Sequence, residues 1–224
     1  MMTGGTQDGG FELISGVLQP AECAALLQAL ETIPRSRAGS RHLMSNLAVS
    51  RLASDPRLLD IASGFLGSEA FPFRATLFDK SADSNWLVVW HQDTALPFVR
   101  RVDGPGWGPW SVKGGVLYAH APAWALRRIV ALRVHLDASE LTNGPLRVIP
   151  GSHELGVLSD EQIAALARSQ EAHSCLVPLG GILAMRPLLV HASSKSTSTA
   201  PRRVVHIEYA DAASLAPGRE LAVA

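Results

Sequence analysis

The sequence predicts a mainly β protein, a jelly roll or sandwich buttressed by N-terminal helices, and three observations predict it. Helical periodicity is confined to the first third of the chain and one later stretch. From residue 71 onward, short segments rich in β-branched and aromatic residues recur. Turn residues separate them at regular spacing, the pattern of antiparallel strands folding into two layers. At 224 residues with 47% hydrophobic content, residues 1–224 are expected to form one domain with a full core.

Taken in order, residues 1–10 are polar and Gly-rich and are expected to be a flexible N-terminus. Residues 11–18 read as a short strand. Gln19-Pro20-Ala21-Glu22 opens a helix with Pro in its first turn, and Cys23, Leu26, Leu27, Leu30 and Ile33 follow at helical spacing. A basic, small-residue loop spans 34–40. Asp55-Pro56 starts a second helix carrying Leu58, Leu59, Ile61, Ala62 and Leu66, which Gly67 ends. Strands are expected over 71–78, 86–90, 115–118, 129–136, 146–149, 176–179, 182–185, 188–191 and 203–209. Thr142-Asn143-Gly144-Pro145 lies between two of these runs as a hairpin signal, with Pro150-Gly151-Ser152 closing the second strand. One further helix, residues 159–169, carries Ile163, Leu166 and Ala167 on one face.

Composition excludes several function classes. Twenty Lys+Arg balance twenty Asp+Glu, so no global field draws the chain to nucleic acid or an anionic membrane. Cys23 and Cys175 lie far apart without metal-ligand spacing, which argues against a disulfide framework or thiolate zinc and for a cytoplasmic protein. No signal peptide or membrane span is expected.

The sharpest chemical feature is His91-Gln92-Asp93 at the end of an expected strand, with His191 at the end of another. Side chains alternate along a strand, so His91 and Asp93 point the same way with Gln92 opposite. Two imidazole nitrogens and a carboxylate oxygen on one face of a metal, with the other positions open, suit a non-haem Fe(II) site. Arg202 follows across a small-residue loop and could grip a carboxylate with its planar fork, while Ser193 shares the face of His191. Arg203 competes for the same role. Alternation sends the two arginines to opposite faces, and Val204, His206 and Glu208 share the parity of Arg202, whereas Val205, Ile207 and Tyr209 share that of Arg203.

A set of motifs in order, Leu77-Phe78-Asp79-Lys80, Asn85-Trp86, Trp90-His91-Gln92-Asp93, Arg133-Val134-His135-Leu136-Asp137, the stretch from Asn143-Gly144-Pro145 to Gly151-Ser152-His153, and His191 with Arg202, resembles the phytanoyl-CoA dioxygenase family over about residues 11–210. The resemblance implies a double-stranded β-helix of cupin-like jelly-roll form, Fe(II), and the co-substrates 2-oxoglutarate and O2. It implies iron on His91, Asp93 and His191, and the distal carboxylate of 2-oxoglutarate on Arg202 with Ser193. Arg133 and Arg41 are further expected to reach the co-substrate pocket, and Asn85 and Thr94 flank the metal motif within reach of a co-substrate oxygen. His135 and His153 are further candidate ligands, of which His153, following the Pro-Gly turn, is read instead as hydrogen-bonded structure. Related halogenases lack the carboxylate that Asp93 supplies, so halogenation is not expected.

Residues 94–124 are left to form the substrate wall and lid. All five tryptophans lie between Trp86 and Trp124, and Gly104, Pro105, Gly106 and Gly108 suggest a mobile loop. Phe98, Arg100, Trp107, Trp110 and Lys113 are the expected substrate contacts, suited to an apolar small molecule carrying a carboxylate or phosphate. The resulting expectation is a dioxygenase that hydroxylates an unactivated C–H bond with release of succinate and CO2. A cupin-like isomerase or O2-only dioxygenase would have no need of Arg202, and a non-catalytic jelly-roll binding module would need none of the four residues.

Overall fold

A computed structural model of the chain describes residues 3–4, 7–34, 39–81 and 84–224. Parts of the expected N-terminal extension and of the basic loop at 34–40 lie outside the described residues. Strands β1 (Thr3–Gly4) and β2 (Phe11–Ile14) pair with each other, and helix α1 (Pro20–Ala29) follows. Glu22 folds back to accept the Gln19 backbone N–H at 2.7 Å, which satisfies a donor the helix start would leave unpaired. After β3 (Ser40–Arg41), helix α2 (Leu47–Ala53) is capped by Asn46, whose Oδ1 accepts from the backbone of Ala48 and Val49. Helix α3 (Pro56–Leu66) is capped by Asp55 and ended by Gly67 in the left-handed region, as its sequence predicts.

The β region runs through β4 (Phe71–Lys80), β5 (Val88–His91), β6 (Ala95–Phe98), β7 (Trp110–Lys113) and β8 (Val116–His120). The short helix α4 (Ala123–Leu126) leads into β9 (Ile129–His135) and β10 (Leu146–Val148). Helix α5 (Asp160–Ser169) precedes β11 (His173–Cys175), β12 (Ile182–Met185), β13 (His191–Ser193) and β14 (Arg202–Ala210). A hairpin of β15 (Ser214–Ala216) and β16 (Arg219–Glu220) closes the described chain.

A seven-stranded sheet, β1-β2-β12-β9-β14-β4-β3, faces a four-stranded sheet, β11-β10-β13-β5, while β6-β8-β7 forms a third, smaller sheet. The large sheet is buried on both faces. On the outer face Val130, Leu132, Val134, Val205, Ile207 and Tyr209 pack against Val49, Leu52, Leu58 and Ala62 of α2 and α3. Each fully buried Leu, Ile or Val contributes about 1.5–3 kcal/mol, so this face anchors the N-terminal helices. On the inner face Ala131, Leu183 and Met185 meet Leu146, Val148 and Cys175 of the small sheet, and that apolar plug closes one end of the barrel.

Three expectations change. The predicted hairpin across 142–145 does not form, because β9 is hydrogen-bonded along both edges by β12 and β14, and β10 pairs instead with β11 and β13 in the opposite sheet. The Asn143-Gly144 turn is a crossover: the buried Asn143 amide donates to Ala138 O and accepts from Glu140 N. Residues 176–179 are not a strand; Leu176 and Leu179 are 44% and 39% exposed and only Val177 bridges, to Ser139. The expected strand at 188–191 forms as His191–Ser193, while α2, β6, β7 and the C-terminal hairpin were not predicted.

Candidate active site

Strands β5 and β13 are antiparallel neighbours, and their register sets His191 directly opposite His91 with ring centroids 4.2 Å apart. Each Nδ1 lies 2.8 Å from the carbonyl two residues earlier, Val89 O or Leu189 O. A carbonyl only accepts, so Nδ1 carries the proton and Nε2 presents a lone pair. Those lone pairs face Asp93, whose Oδ1 is 3.7 Å from His91 Nε2 and whose Oδ2 is 3.5 Å from His191 Nε2. One ligand atom from each of the three lies within 4.8 Å of the others. Gln92, pointing the other way as alternation requires, fixes the strand by donating to Gly156 O and Leu188 O and accepting from Leu158 N.

Electrostatics suit a cation here. Burial pushes the His191 imidazole down to about 4, with His91 adding to the shift, so the ring is a neutral donor at pH 7. Burial alone would raise Asp93, but the neighbouring histidines outweigh it and hold the carboxyl well below its usual range. Two imidazole nitrogens and one carboxylate, open toward a cavity of about 560 Å3, fit a divalent transition metal.

At the inner end of that cavity three cations converge. The β14–β4 register sets Arg202 opposite Lys80, and β9 contributes Arg133 beside His206. Arg202 is 4% exposed; its Nε donates to Asn143 O and its Nη2 to Ser193 Oγ, both at 3.3 Å, and its Nη1 has no partner. Arg133, 6% exposed, donates to His206 Nδ1 at 3.1 Å and leaves Nε unpartnered. Lys80, 1% exposed, donates to Ser193 Oγ at 2.8 Å and Ser194 O at 2.5 Å. Ser193 Oγ in turn donates to Gly144 O. Gly144 sits at φ 70°, and a Cβ there would collide with Ser194 O, so only glycine lets the crossover close on this serine loop.

Among the described residues none of the three cations makes an ion pair. Burial pushes Arg202 down to about 9, Arg133 to about 10 and Lys80 to about 7, and Arg133 adds to the shift of both others by repulsion. Buried N–H groups without acceptors are costly, and their number here fits a carboxylate supplied from outside the chain. Arg203 lies on the opposite face, where its fork grips Asp137 at 2.7 Å through both Nε and Nη2. The expected alternation of the two arginines therefore holds.

The other candidate residues divide. Thr94 lines the cavity and lies 2.7 Å from His120 Nδ1, and Arg41 and Lys113 line its outer part. Asn85 does not line it; both ends of its amide bond the Ser196 backbone, at 2.7 and 2.8 Å, and tie down the loop before β14. Phe98, Trp107 and Trp110, expected as substrate contacts, do not line the cavity: Phe98 is core, and the partly buried Trp107 and Trp110 pack against it. They meet edge to face, with centroids of Trp107 and Trp110 at 5.4 and 5.8 Å from Phe98, in a cluster with Leu96, Leu126, Leu215 and Leu221. Arg100 is exposed and points to Gly218 O at 3.4 Å, outside the cavity. His135 donates to Arg133 O and His153 faces Glu154, and neither stands with His91, Asp93 and His191. Lys80, Arg74, Tyr118 and His206 line the cavity without having been singled out. The signal for two of them was the alternation Arg74, Thr76, Phe78, Lys80 against Ala75 and Leu77 along β4.

A sequence model of the family described as Phytanoyl-CoA dioxygenase (PhyH) matches residues 6–204. L-proline trans-4-hydroxylase of Streptomyces griseoviridis is 27% identical over 186 residues, covering 71% of this chain and 62% of that protein. Ectoine dioxygenase of Bordetella bronchiseptica is 28% identical over 163 residues, covering 64% of this chain and 46% of that protein. The chain thus spans less than two thirds of the length of either relative. The crystal structure of EctD from S. alaskensis with 2-oxoglutarate and 5-hydroxyectoine superposes with a TM-score of 0.66 at 21% identity, covering 91% of this chain and 72% of that chain. The likeness establishes a shared cupin-like fold.

Proposed function

The chain belongs to the phytanoyl-CoA dioxygenase family, and from that premise we propose that it is a non-haem Fe(II)- and 2-oxoglutarate-dependent dioxygenase that hydroxylates a C–H bond of a small molecule. One observation carries the proposal: an open His-Asp-His face and unpaired buried cations share one cavity. A metalloenzyme using O2 alone would gain nothing from burying Arg202, Arg133 and Lys80 without partners. A binding module would need neither end.

His91, Asp93 and His191 would hold Fe(II), and Arg202 with Ser193 and Lys80 would hold the distal carboxylate of 2-oxoglutarate. When bound, the metal, 2-oxoglutarate and O2 together supply the oxidation that turns C–H into C–OH, with succinate and CO2 as the other products. The chain's own residues bind, orient and exclude. The Nδ1 hydrogen bonds to Val89 O and Leu189 O fix both imidazole rings, so the ligand set is preorganised. The Arg202 fork is braced by Asn143 O and Ser193, so it would present a fixed pair of N–H groups to the distal carboxylate. Leu146, which lines the cavity, packs on Leu183 and Met185 behind it and gives the site an apolar backing.

Residues 94–124 contribute Thr94, Lys113, Tyr118 and His120 to the outer wall, and residues 1–224 act as one domain. The relatives' names point to small polar molecules such as proline and ectoine as the substrate class, a size the cavity of about 560 Å3 accommodates. Two buried free cysteines favour a reducing, cytoplasmic setting, and among the described residues no helix is long and apolar enough to cross a membrane. Anaerobic titration with Fe(II), with and without 2-oxoglutarate, tests the assignment through the weak visible charge-transfer band of the chelate. Slow succinate formation without primary substrate should follow on admitting O2. Absence of both band and succinate in iron-loaded protein would favour the cupin-like alternative.

A further inference from the structure

The outer half of the same cavity is lined by two further cations, the exposed Arg41 and the half-buried Lys113, that neither a metal nor 2-oxoglutarate engages. Arg41 comes from β3, at the edge of the seven-stranded sheet, and Lys113 from β7, in the three-stranded sheet, yet both line this cavity. Both also line the smaller recess beside it, of about 370 Å3, which sets them next to one another. The Lys113 ammonium lies 5.0 Å from the centre of the Tyr118 ring rather than extending into water, and the Tyr118 hydroxyl is hydrogen-bonded to His42 Nε2 at 3.0 Å. Arg74 approaches the same ring at 5.6 Å, but Glu208 neutralises it. Among the described residues neither Arg41 nor Lys113 has an acidic partner.

The charge balance sharpens the point. Lysines and arginines lining the cavity number six, Arg41, Arg74, Lys80, Lys113, Arg133 and Arg202, against one acid, Asp93. With Arg74 paired to Glu208 and the metal end of the co-substrate on the His-Asp-His face, its distal carboxylate is answered by the inner cations. Arg41 and Lys113 remain, side by side in the outer lining, and burial and then Arg41 push the Lys113 ammonium down. Like charges held together at a cavity wall are stabilised by an anion between them.

We propose that Arg41 and Lys113 form an oxyanion subsite that grips a carboxylate or phosphate of the primary substrate at the end of the cavity away from Arg202. The subsite rests on the function proposed above only in taking the cavity as the place where substrate binds. It reassigns Arg41 from the co-substrate to the substrate, and it makes the substrate an anion whose reacting carbon lies between the subsite and His91, Asp93 and His191.

Matched probes test this. The protein, loaded with Mn(II) and 2-oxoglutarate without O2, is titrated calorimetrically with phenylacetate, phenyl phosphate and phenylacetamide, and with the aliphatic and amino-acid counterparts of each. In at least one series an anionic arm should bind about tenfold or more tightly than its amide, the size of one charge-assisted hydrogen bond, and the better arm identifies carboxylate or phosphate. The double variant Arg41→Gln, Lys113→Gln should lose that preference while its 2-oxoglutarate affinity stays within about twofold. The inference is overturned if no anion exceeds its amide in any series, if the preference survives in the double variant, or if the variant loses 2-oxoglutarate binding as well. Should the wild type fail to bind 2-oxoglutarate at all, the proposed function falls, and loss of the acid-over-amide preference on going from wild type to the double variant, both with metal alone, still decides the subsite.

Discussion

Exchanging each of two adjacent arginines for lysine separates a co-substrate ligand from a structural ion pair. Arg202 is 4% exposed with one Nη unpartnered, and Arg203 next to it is locked on Asp137 by two hydrogen bonds of 2.7 Å. Removing one partner of a buried, hydrogen-bonded charge pair costs about 2–5 kcal/mol of binding. At about 1.4 kcal/mol per factor of ten, that is roughly thirtyfold to several thousandfold in Kd. Lysine keeps the charge but loses the fork, so Arg202→Lys forfeits only part of this, a rise of about tenfold or more in the Kd for 2-oxoglutarate. The Arg203–Asp137 pair is partly exposed, so Arg203→Lys should lower stability by only about 0.2–1 kcal/mol and leave that Kd unchanged. Anaerobic calorimetry on metal-loaded protein measures the first quantity and denaturant unfolding the second. If Arg203→Lys weakens 2-oxoglutarate and Arg202→Lys does not, the facing of β14 is wrong, and Ser193 loses its role with it.

His91→Ala and His191→Ala should each abolish retention of Fe(II) through desalting, measured by metal analysis; retention equal to wild type would remove these residues from the metal site. Phe98→Ala should lower stability by about 3–5 kcal/mol in urea unfolding, since the ring is core to Trp107 and Trp110, and a stable variant with a raised KM would restore the aromatic substrate wall instead. Lys80 is pushed down to about 7 from 10.5. Between those values the unfolded chain binds the proton that the folded chain has lost, so wild-type stability without ligand rises with pH across that window, whereas Lys80→Met lacks this rise. Affinity for 2-oxoglutarate should fall as pH climbs past about 7 in the wild type and stay flat in Lys80→Met; parallel profiles in unfolding and calorimetry would show that Lys80 does not meet the dianion.

What was legible in the sequence was whatever a short stretch decides. Alternation is a local property of a strand, and it placed His91 with Asp93, turned Gln92 away and separated Arg202 from Arg203. Helix α3 announces itself with Asp55-Pro56 and Gly67, which act within one turn. Pairing between distant strands is not local. Asn143-Gly144 carries a true turn signal, but nothing nearby says that both edges of β9 are already taken by β12 and β14. Lys80 stood inside a quoted motif and still passed unnoticed, because a lysine near the end of a strand looks solvated until the register sets it against Arg202. The tryptophan-rich segment failed for a different reason: aromatic composition is the same for a core and for a pocket, and only packing tells Trp107 in the core from Trp86 in the cavity wall.

Strand β14 divides the molecule's work between its faces. Val205, Ile207 and Tyr209 pack on the N-terminal helices, and Tyr209 donates its hydroxyl to Ala53 O at 3.0 Å, so that face contributes stability. The other face carries Arg202, His206 and Glu208 into the barrel, where burial of charge costs stability unless it is matched. The chain matches it selectively. Arg74 is given Glu208 and Ala95 O, and Arg203 is given Asp137, so acids are available at this sheet to neutralise arginines. Arg202, Arg133 and Lys80 lie on the same three strands and receive only neutral acceptors. A fold selected for stability alone would extend the pairing to them or replace them with apolar residues. That the unpaired cations converge on the large-sheet wall of one cavity, with the metal-ligand face on the small sheet across from them, separates cations that hold the fold together from cations that wait for an anion.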